Sequence, residues 1–206
     1  MNEKFFNLPK MKQQKIINAG YRIFSQNSYK KSPMSEIADS ADISKSLLFH
    51  YFKNKQELYL FLWEKCTQIT IKHMTKYGCY EQTELFEMME RGMKAKIEIM
   101  KKYPYMGSFV IKAFYEKDPS VCSAIQKSYY KFLDYKANKT LVNLDPDQFI
   151  PGLDLEMMYK QMYWASDGYL REVLQNGNGK MDIEKMEKDF TKMIEFWKQI
   201  YLRKEE

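Results

Sequence analysis

The stretch Ser44-Lys45-Ser46-Leu47-Leu48-Phe49-His50-Tyr51-Phe52-Lys53-Asn54-Lys55 gathers the side chains best suited to chemistry with an anion. No acid occurs from Ile43 to Gln56, while Lys45, Lys53 and Lys55 are cationic and Ser44, Ser46, His50 and Tyr51 can hydrogen-bond. A polyanion repels carboxylates and is held by lysines and polar donors, so this composition fits a nucleic-acid backbone. Ser44 is expected to cap a helix, its hydroxyl accepting from an orphan N–H two or three residues on. Leu48 and Phe52 then share one face a turn apart, leaving Lys45, Phe49 and Tyr51 to point elsewhere. Such a helix has one buried stripe and an exposed basic, aromatic face of a size that suits a DNA groove.

The elements that must hold this helix lie just before it. Ser32-Pro33-Met34-Ser35-Glu36 reads as a helix start, with a cap residue, a proline at the first helical position and an acid in the first turn. Met34, Ile37, Ala38 and Ala41 follow the spacing of one helical face. Asp42-Ile43 leaves room only for a tight turn before Ser44. Two short helices joined in this way form a helix-turn-helix, whose second helix reads the major groove while the first braces it.

Residues 13–62 resemble the DNA-binding domain of the tetracycline-repressor (TetR) family. The resemblance rests on Ile16 to Phe24 as a first helix ending Ile23-Phe24, Ile37-Ala38 in the second, then Ser44-Lys45, Leu48-Phe49-His50-Tyr51-Phe52, Lys55 and Leu58. It implies a dimeric, all-α regulator that leaves its operator when a small molecule binds the C-terminal domain. Where the family usually has glycine this chain has Ser28, Asp42 and Ser46, and Phe49 stands in place of the usual tyrosine. Asp42 is physically compatible with that turn, because Asp enters the left-handed backbone region more readily than most residues.

Composition agrees with this reading. The chain has 206 residues, 45% hydrophobic and 29% charged, with a net charge of +6, ordinary values for a globular protein with a real core. Residues 1–57 hold ten Lys or Arg against five Asp or Glu, so nearly all the excess sits with the helix-turn-helix. Cys66, Cys79 and Cys122 are odd in number and widely spaced, which predicts reduced thiols and no disulfide framework. Cys66, His73 and Cys79 match no zinc spacing, so no metal and no cofactor are expected. The opening Met1-Asn2-Glu3-Lys4-Phe5-Phe6 lacks a signal-peptide core and no apolar run is long enough to span a membrane, which predicts a cytoplasmic protein.

The expected architecture is all-α: residues 1–53 as an N-terminal three-helix bundle with the helix-turn-helix, joined to a larger helical effector-binding and dimerisation domain over 54–206. Met1 to Pro9 reads as a short disordered arm. The first helix runs from about Lys10 to Gln26. Asn54-Lys55-Gln56-Glu57 resembles a capping box that opens a long helix to about Tyr77, the mechanical joint between the two domains. Further helices are expected over 82–103, 105–116, 120–138, 154–175 and 182–203. Pro146 and Pro151 mark a loop and Asn176-Gly177-Asn178-Gly179 a break.

Two surfaces of the larger domain invite assignment. The middle helices are rich in aromatics and methionine, which adapt to varied ligands and bring polar tips into apolar walls. Tyr103, Phe109, Phe114, Tyr115, Tyr130, Met158, Met162 and Tyr163, with Asp167 and Glu116 as candidate polar partners, either line a cavity for a hydrophobic or aromatic effector or form ordinary core. On the last helix Phe190, Met193, Ile194, Trp197 and Tyr201 form a stripe. It is either core or, as the resemblance implies, part of a four-helix dimer interface.

The partners so implied are a palindromic double-stranded DNA operator, a small-molecule effector and a second copy of the chain. Ser44, Lys45 and Lys55 are expected to hold phosphates, and Ser46, Phe49, His50 and Tyr51 to supply base or sugar contacts. Catalytic residues are not expected: His50 falls in the DNA-facing helix, His73 stands alone, and no Gly-rich phosphate loop, HExxH or nucleophile elbow occurs. The competing class is a helical interaction module, or a small-molecule binder without specific DNA recognition. The acid-free run argues against the first of these.

Overall fold

The computed structural model describes residues 3–142, 144–176 and 182–204. Its helices are α1 (Glu3–Phe6), α2 (Lys10–Gln26), α3 (Met34–Ser40), α4 (Lys45–Tyr51), α5 (Lys55–Lys76), α6 (Leu85–Lys102), α7 (Met106–Phe114), α8 (Cys122–Leu141), α9 (Leu155–Asn176) and α10 (Ile183–Tyr201), with 3₁₀ turns at Cys79–Glu81 and Pro146–Gln148. Among the described residues the only extended pairing is a bridge between Phe149 and Leu202. Ile150 N–H donates to the Tyr201 carbonyl at 3.0 Å and Arg203 N–H to that of Gln148 at 2.9 Å, which pins the end of α10 to the proline loop. The expected break at Gly177-Asn178-Gly179 lies outside the described residues.

Local chemistry explains most helix ends. Ser44 Oγ accepts from Leu47 N–H at 3.1 Å, Asn54 Oδ1 from Glu57 N–H at 2.8 Å, Asp154 Oδ1 from Met157 N–H at 2.9 Å and Asp182 Oδ1 from Lys185 N–H at 3.1 Å. Each satisfies an N–H with no partner inside its helix. Glu57 reaches back to the N–H of Lys53 at 2.6 Å, one residue earlier than a standard capping box. Ser32 does not cap: its side chain is buried and donates to the Ser28 carbonyl, so α3 begins only at Met34.

The expected disordered arm is also corrected. Phe5, on α1, is fully buried against Phe52 and Phe61, with ring centroids 5.1 and 5.2 Å away. Desolvation of one aromatic ring is enough to order a single helical turn that would not form alone.

One core joins the DNA-binding head to the body. Ile16, Ile17, Phe24, Ile37, Leu48, Phe52, Leu58 and Leu62 pack with Ile99, Phe109, Ala113 and Ile125, so the buried cluster crosses residue 53 without a gap. Phe109 of α7 enters among Tyr21, Phe24 and Tyr59, at 5.3, 6.2 and 5.1 Å between centroids. Tyr21 donates to the Leu62 carbonyl at 3.1 Å and accepts from Cys66 Sγ at 3.3 Å, satisfying both buried polar groups. Burial pushes the Cys66 thiol up to about 12, so it stays protonated and inert.

A second cluster lies in the body: Leu85, Phe86, Leu144, Phe149, Met158, Met162, Ile194 and Trp197. It corrects the reading of the last helix. Ile194 and Trp197 are buried within one chain, Met193 and Tyr201 pack against the same cluster, and Phe190 meets Tyr169 edge-on at 5.2 Å. The stripe is therefore intramolecular core. Phe196, 59% exposed, and Ile200 lie on the opposite side of α10, and Met157 and Trp164, the latter 56% exposed, face outward from α9. Tyr201 Oη donates to Gln161 Oε1 at 3.3 Å and ties these two helices together.

Helix α2 packs closely on α5 at Gly20, where an added Cβ would lie 2.5 Å from Leu62 Cδ1. Leu62 is fully buried, so its side chain has to shift within the core to make room. Gly20→Ala is therefore expected to destabilise by about 1 kcal/mol, the overpacking cost of about 1–3 kcal/mol exceeding the helix-propensity gain of up to about 1. Urea unfolding with an unchanged m-value checks it, and a stabilised variant would contradict this packing.

Candidate nucleic-acid interface and effector site

Helix α4 stands on the head as a seven-residue recognition element capped by Ser44. Leu48 is fully buried and fixes the helix to the core, while Ser44, Lys45, Ser46, Leu47, Phe49 and His50 are exposed. Ser44 and Ser46 hydroxyls lie 3.0 Å apart, so the first turn presents a paired hydroxyl edge beside Lys45. The turn before it takes the expected left-handed conformation at Asp42, with φ 51°. Lys15 of α2 forms an ion pair with Asp42, which offsets the acid nearest the recognition face. Fixed helix position, exposed hydroxyls and lysine, and a locally neutralised acid together give this edge the chemistry that suits an anion.

Two residues depart from the sequence expectation. Tyr51 is only 7% exposed and its ring meets Phe5 edge-on at 6.1 Å. It follows Leu48 by three positions on the same helical face, so it faces the core rather than the groove. Lys55 Nζ sits 4.6 Å from the Tyr29 ring centroid and donates to the Lys30 carbonyl at 3.2 Å, so its ammonium is already engaged by the loop after α2.

The nine residues expected to line an effector cavity do not converge. Tyr103 and Phe109 belong to the core shared with the head, and Met158 and Met162 to the second cluster. Phe114, Tyr115, Tyr130, Tyr163 and Asp167 do gather, around a residue outside that set, Tyr129. Its ring is 4.5 Å from Phe114 and 6.2 Å from Tyr130, and its hydroxyl is 2.8 Å from that of Tyr163. Asp167 is paired with Arg171 at 2.5 Å, and the Arg171 guanidinium lies 4.7 Å from the Tyr115 ring centroid. Burial and then the Tyr163 hydroxyl raise the Tyr129 phenol, which stays neutral.

Trp63, absent from the sequence reading, completes this group. Its ring lies 6.2 Å from Tyr129, and its indole N–H is buried with no hydrogen-bond partner. An unsatisfied buried donor is costly and marks a place where an acceptor belongs. The available signal was the inward stripe of α5, since Tyr59 and Trp63 are one turn apart. Glu116, expected as a polar partner for a ligand, instead accepts from the Tyr29 N–H at 2.8 Å and so links α7 to the head. Gln56 Nε2 donates to the Ser120 carbonyl at 2.6 Å, a second such link.

Comparison with known proteins agrees with this geometry. Residues 16–61 match the family model for bacterial regulatory proteins of the tetR family, a span that takes in α3, α4 and their turn. Residues 16–61 are therefore a DNA-binding domain of the tetR type. The HTH-type transcriptional regulator AcrR of Shigella flexneri is 18% identical over 88% of this chain and 86% of its own length. A TetR-family regulator from Chloroflexus aurantiacus superposes with a TM-score of 0.61 at 19% identity, covering 98% of this chain and 99% of its own. FadR from Bacillus subtilis, solved in complex with stearoyl-CoA, gives 0.59 at 18% identity, over 87% and 96%. The fold shared with these structures thus extends through the body. Among the described residues no helix is long and apolar enough to cross a membrane, and no group of His, Cys, Asp or Glu could hold a metal ion.

The inward and outward faces of α4 are separable by stability. Tyr51→Ala is expected to cost about 3 kcal/mol, as for other large-to-small aromatic truncations. Phe49→Ala, with Phe49 40% exposed, should stay within about 0.5 kcal/mol. Thermal melts of the two variants check the assignment, which fails if Tyr51→Ala is silent.

Proposed function

We propose that the protein is a homodimeric, sequence-specific transcriptional repressor whose operator is released when a small apolar or aromatic molecule binds the body. The observation that carries this reading is the capped, acid-free recognition helix with Ser44, Lys45, Ser46, Phe49 and His50 exposed on its face. Lys45 and the Ser44–Ser46 hydroxyl edge hold phosphates, and Phe49 and His50 reach base or sugar edges in the major groove. Tyr51 braces the helix from inside. Lys55 contributes to phosphate binding only by exchanging its hold on Tyr29. A cytoplasmic location and the absence of catalysis belong to the same reading.

Dimerisation is assigned to the outward faces of α9 and α10. Met157 and Trp164 on α9 and Phe196 and Ile200 on α10 are exposed apolar side chains, and covering such surface with its own copy gives a two-fold, self-complementary interface. Two recognition helices are then presented together to a palindrome, with half-sites about one DNA turn or a small multiple apart. The stearoyl-CoA in the Bacillus subtilis FadR structure supports reading the body as a ligand-binding domain.

Selection of a random duplex library at physiological salt tests the reading, with recovery of one palindromic motif as the expected outcome. Salt-sensitive but sequence-independent retention would leave only a small-molecule-binding helical protein with a basic surface. On the recovered motif, Lys45→Ala should weaken binding and reduce the slope of log K against log salt by about 0.9 for each phosphate that is no longer neutralised. An unchanged slope removes Lys45 from the phosphate-binding residues.

A paired Trp164→Glu/Phe196→Glu variant should run as a monomer in light scattering and bind the motif weakly. Persistence of the dimer would refute the assigned interface.

A further inference from the structure

Phe5 of α1 is the ring against which the recognition helix rests. It is fully buried, with its centroid 5.1 Å from Phe52, the C-cap of α4, and 5.2 Å from Phe61 of α5. Phe52 and Phe61 are themselves 5.2 Å apart, so the three rings close a triangle within the range of favourable aromatic contact. The triangle joins α1 and α5 to the end of α4.

A fourth ring stands on it. Tyr51 meets Phe5 edge-on at 6.1 Å, and the imidazole of His50 lies against Tyr51 in turn, with centroids 5.8 Å apart and planes at 64°. His50 is exposed on the DNA-facing side. Contact therefore runs from Phe61 in the core through Phe5 and Tyr51 to a side chain at the surface.

Helix α1 has only four residues, too few to keep Phe5 in place by its own hydrogen bonds. The buried Gln13 of α2 supplies the hold: its Nε2 donates to the Phe6 carbonyl at 3.0 Å and to the Leu8 carbonyl at 2.8 Å. Phe6 adds a second ring against Phe61, at 6.2 Å.

A side chain that reads a base edge has to be held within about 0.5 Å, and the residues behind it do so by locking its rotamer. Hydrogen bonds weaken steeply once that alignment is lost. Removing the Phe5 ring leaves space beside Tyr51 into which the tyrosine relaxes. His50 then loses the surface on which it rests.

We propose that Phe5 is a positioning residue for DNA recognition, acting through Tyr51 on the orientation of the His50 imidazole. The proposal rests on the reading of α4 as the recognition helix, and it adds to the specificity of that helix a residue outside the helix-turn-helix. Lys45 and the Ser44 and Ser46 hydroxyls lie at the opposite end of α4 and have no part in it, so phosphate binding survives its loss.

A double-mutant cycle on the full-length protein is the test, with the palindrome recovered by selection as probe and a scrambled duplex of equal length as reference. Phe5→Ala is expected to weaken the palindrome about tenfold, comparable to the loss of a base contact. The scrambled duplex should weaken by less than about twofold, because sequence-independent binding rests on phosphates. His50→Ala should cost about tenfold in the wild-type background and less than about threefold in Phe5→Ala. Phe5→Leu, which fills the core but offers no ring edge, takes the place of Phe5→Ala if circular dichroism shows the latter unfolded, with the same outcomes expected.

A His50→Ala cost that is as large in the Phe5 variant as in the wild type makes Phe5 purely structural and overturns the proposal. So does an unchanged palindrome affinity in the Phe5 variant, equal weakening of both duplexes, or a silent His50→Ala. In each of these cases the recovered palindrome leaves the DNA-recognition reading standing. Failure of the selection to yield any motif overturns that reading and the proposal together.

Discussion

The packing of Phe109 between α2 and α5 is the constraint on which the rest of the molecule depends. The ring is fully buried and touches Tyr21, Phe24 and Tyr59. Its burial contributes about 2–3 kcal/mol, and each aromatic pair adds about 0.5–1.5. A head held in this way does not swing independently of its body. Motion of α7 carries α2 with it, and α2 braces the helix-turn-helix through the same core. Interiors packed to this density transmit displacement instead of absorbing it.

The recognition face depends on that anchoring for its charge as well as its position. An exposed Lys45 beside a hydroxyl pair attracts phosphate only where no acid competes, and Lys15 offsets the nearest one at Asp42. The ion pair is exposed and contributes little to stability. Its value lies in the local field, where removing one nearby negative charge matters more than adding a distant positive one.

Helix ends were legible in the sequence because capping is local. Ser44, Asn54 and Asp182 accept from N–H groups three residues on, and a hydroxyl or carboxylate at the right place suffices. The helix-turn-helix was legible for the same reason. What the sequence left open was which partner covers each face. A stripe at helical spacing states that Ile194 and Trp197 are buried but not whether α6 or a second chain buries them. Tyr51 has a polar tip and an apolar body, and only its place beside Phe5 assigns the ring inward. The aromatic residues of the middle helices split among three packing groups because composition carries no register between helices. The stripe of α5 places Trp63 inward, a turn after Tyr59, but the missing partner of its indole N–H is recorded by no linear pattern.

Two elements lead from the aromatic group around Tyr129 to the DNA-binding head. Helix α5 carries Trp63 and begins at the Asn54 cap beside the recognition helix, while α7 ends at Phe114 and hands over to Glu116, which grips the Tyr29 N–H. Under the proposed mechanism an occupant that repositions α8 against α9 acts on both. Moving a regulator from about 99% operator-competent to about 1% requires roughly 5.5 kcal/mol of preference for one arrangement over the other. Apolar contact with adaptable Met and Tyr side chains discriminates weakly between two arrangements, since such walls repack around either. The preference has to come instead from the joints, where the Asn54 cap and the Glu116 carboxylate each hold the head through one specific hydrogen bond.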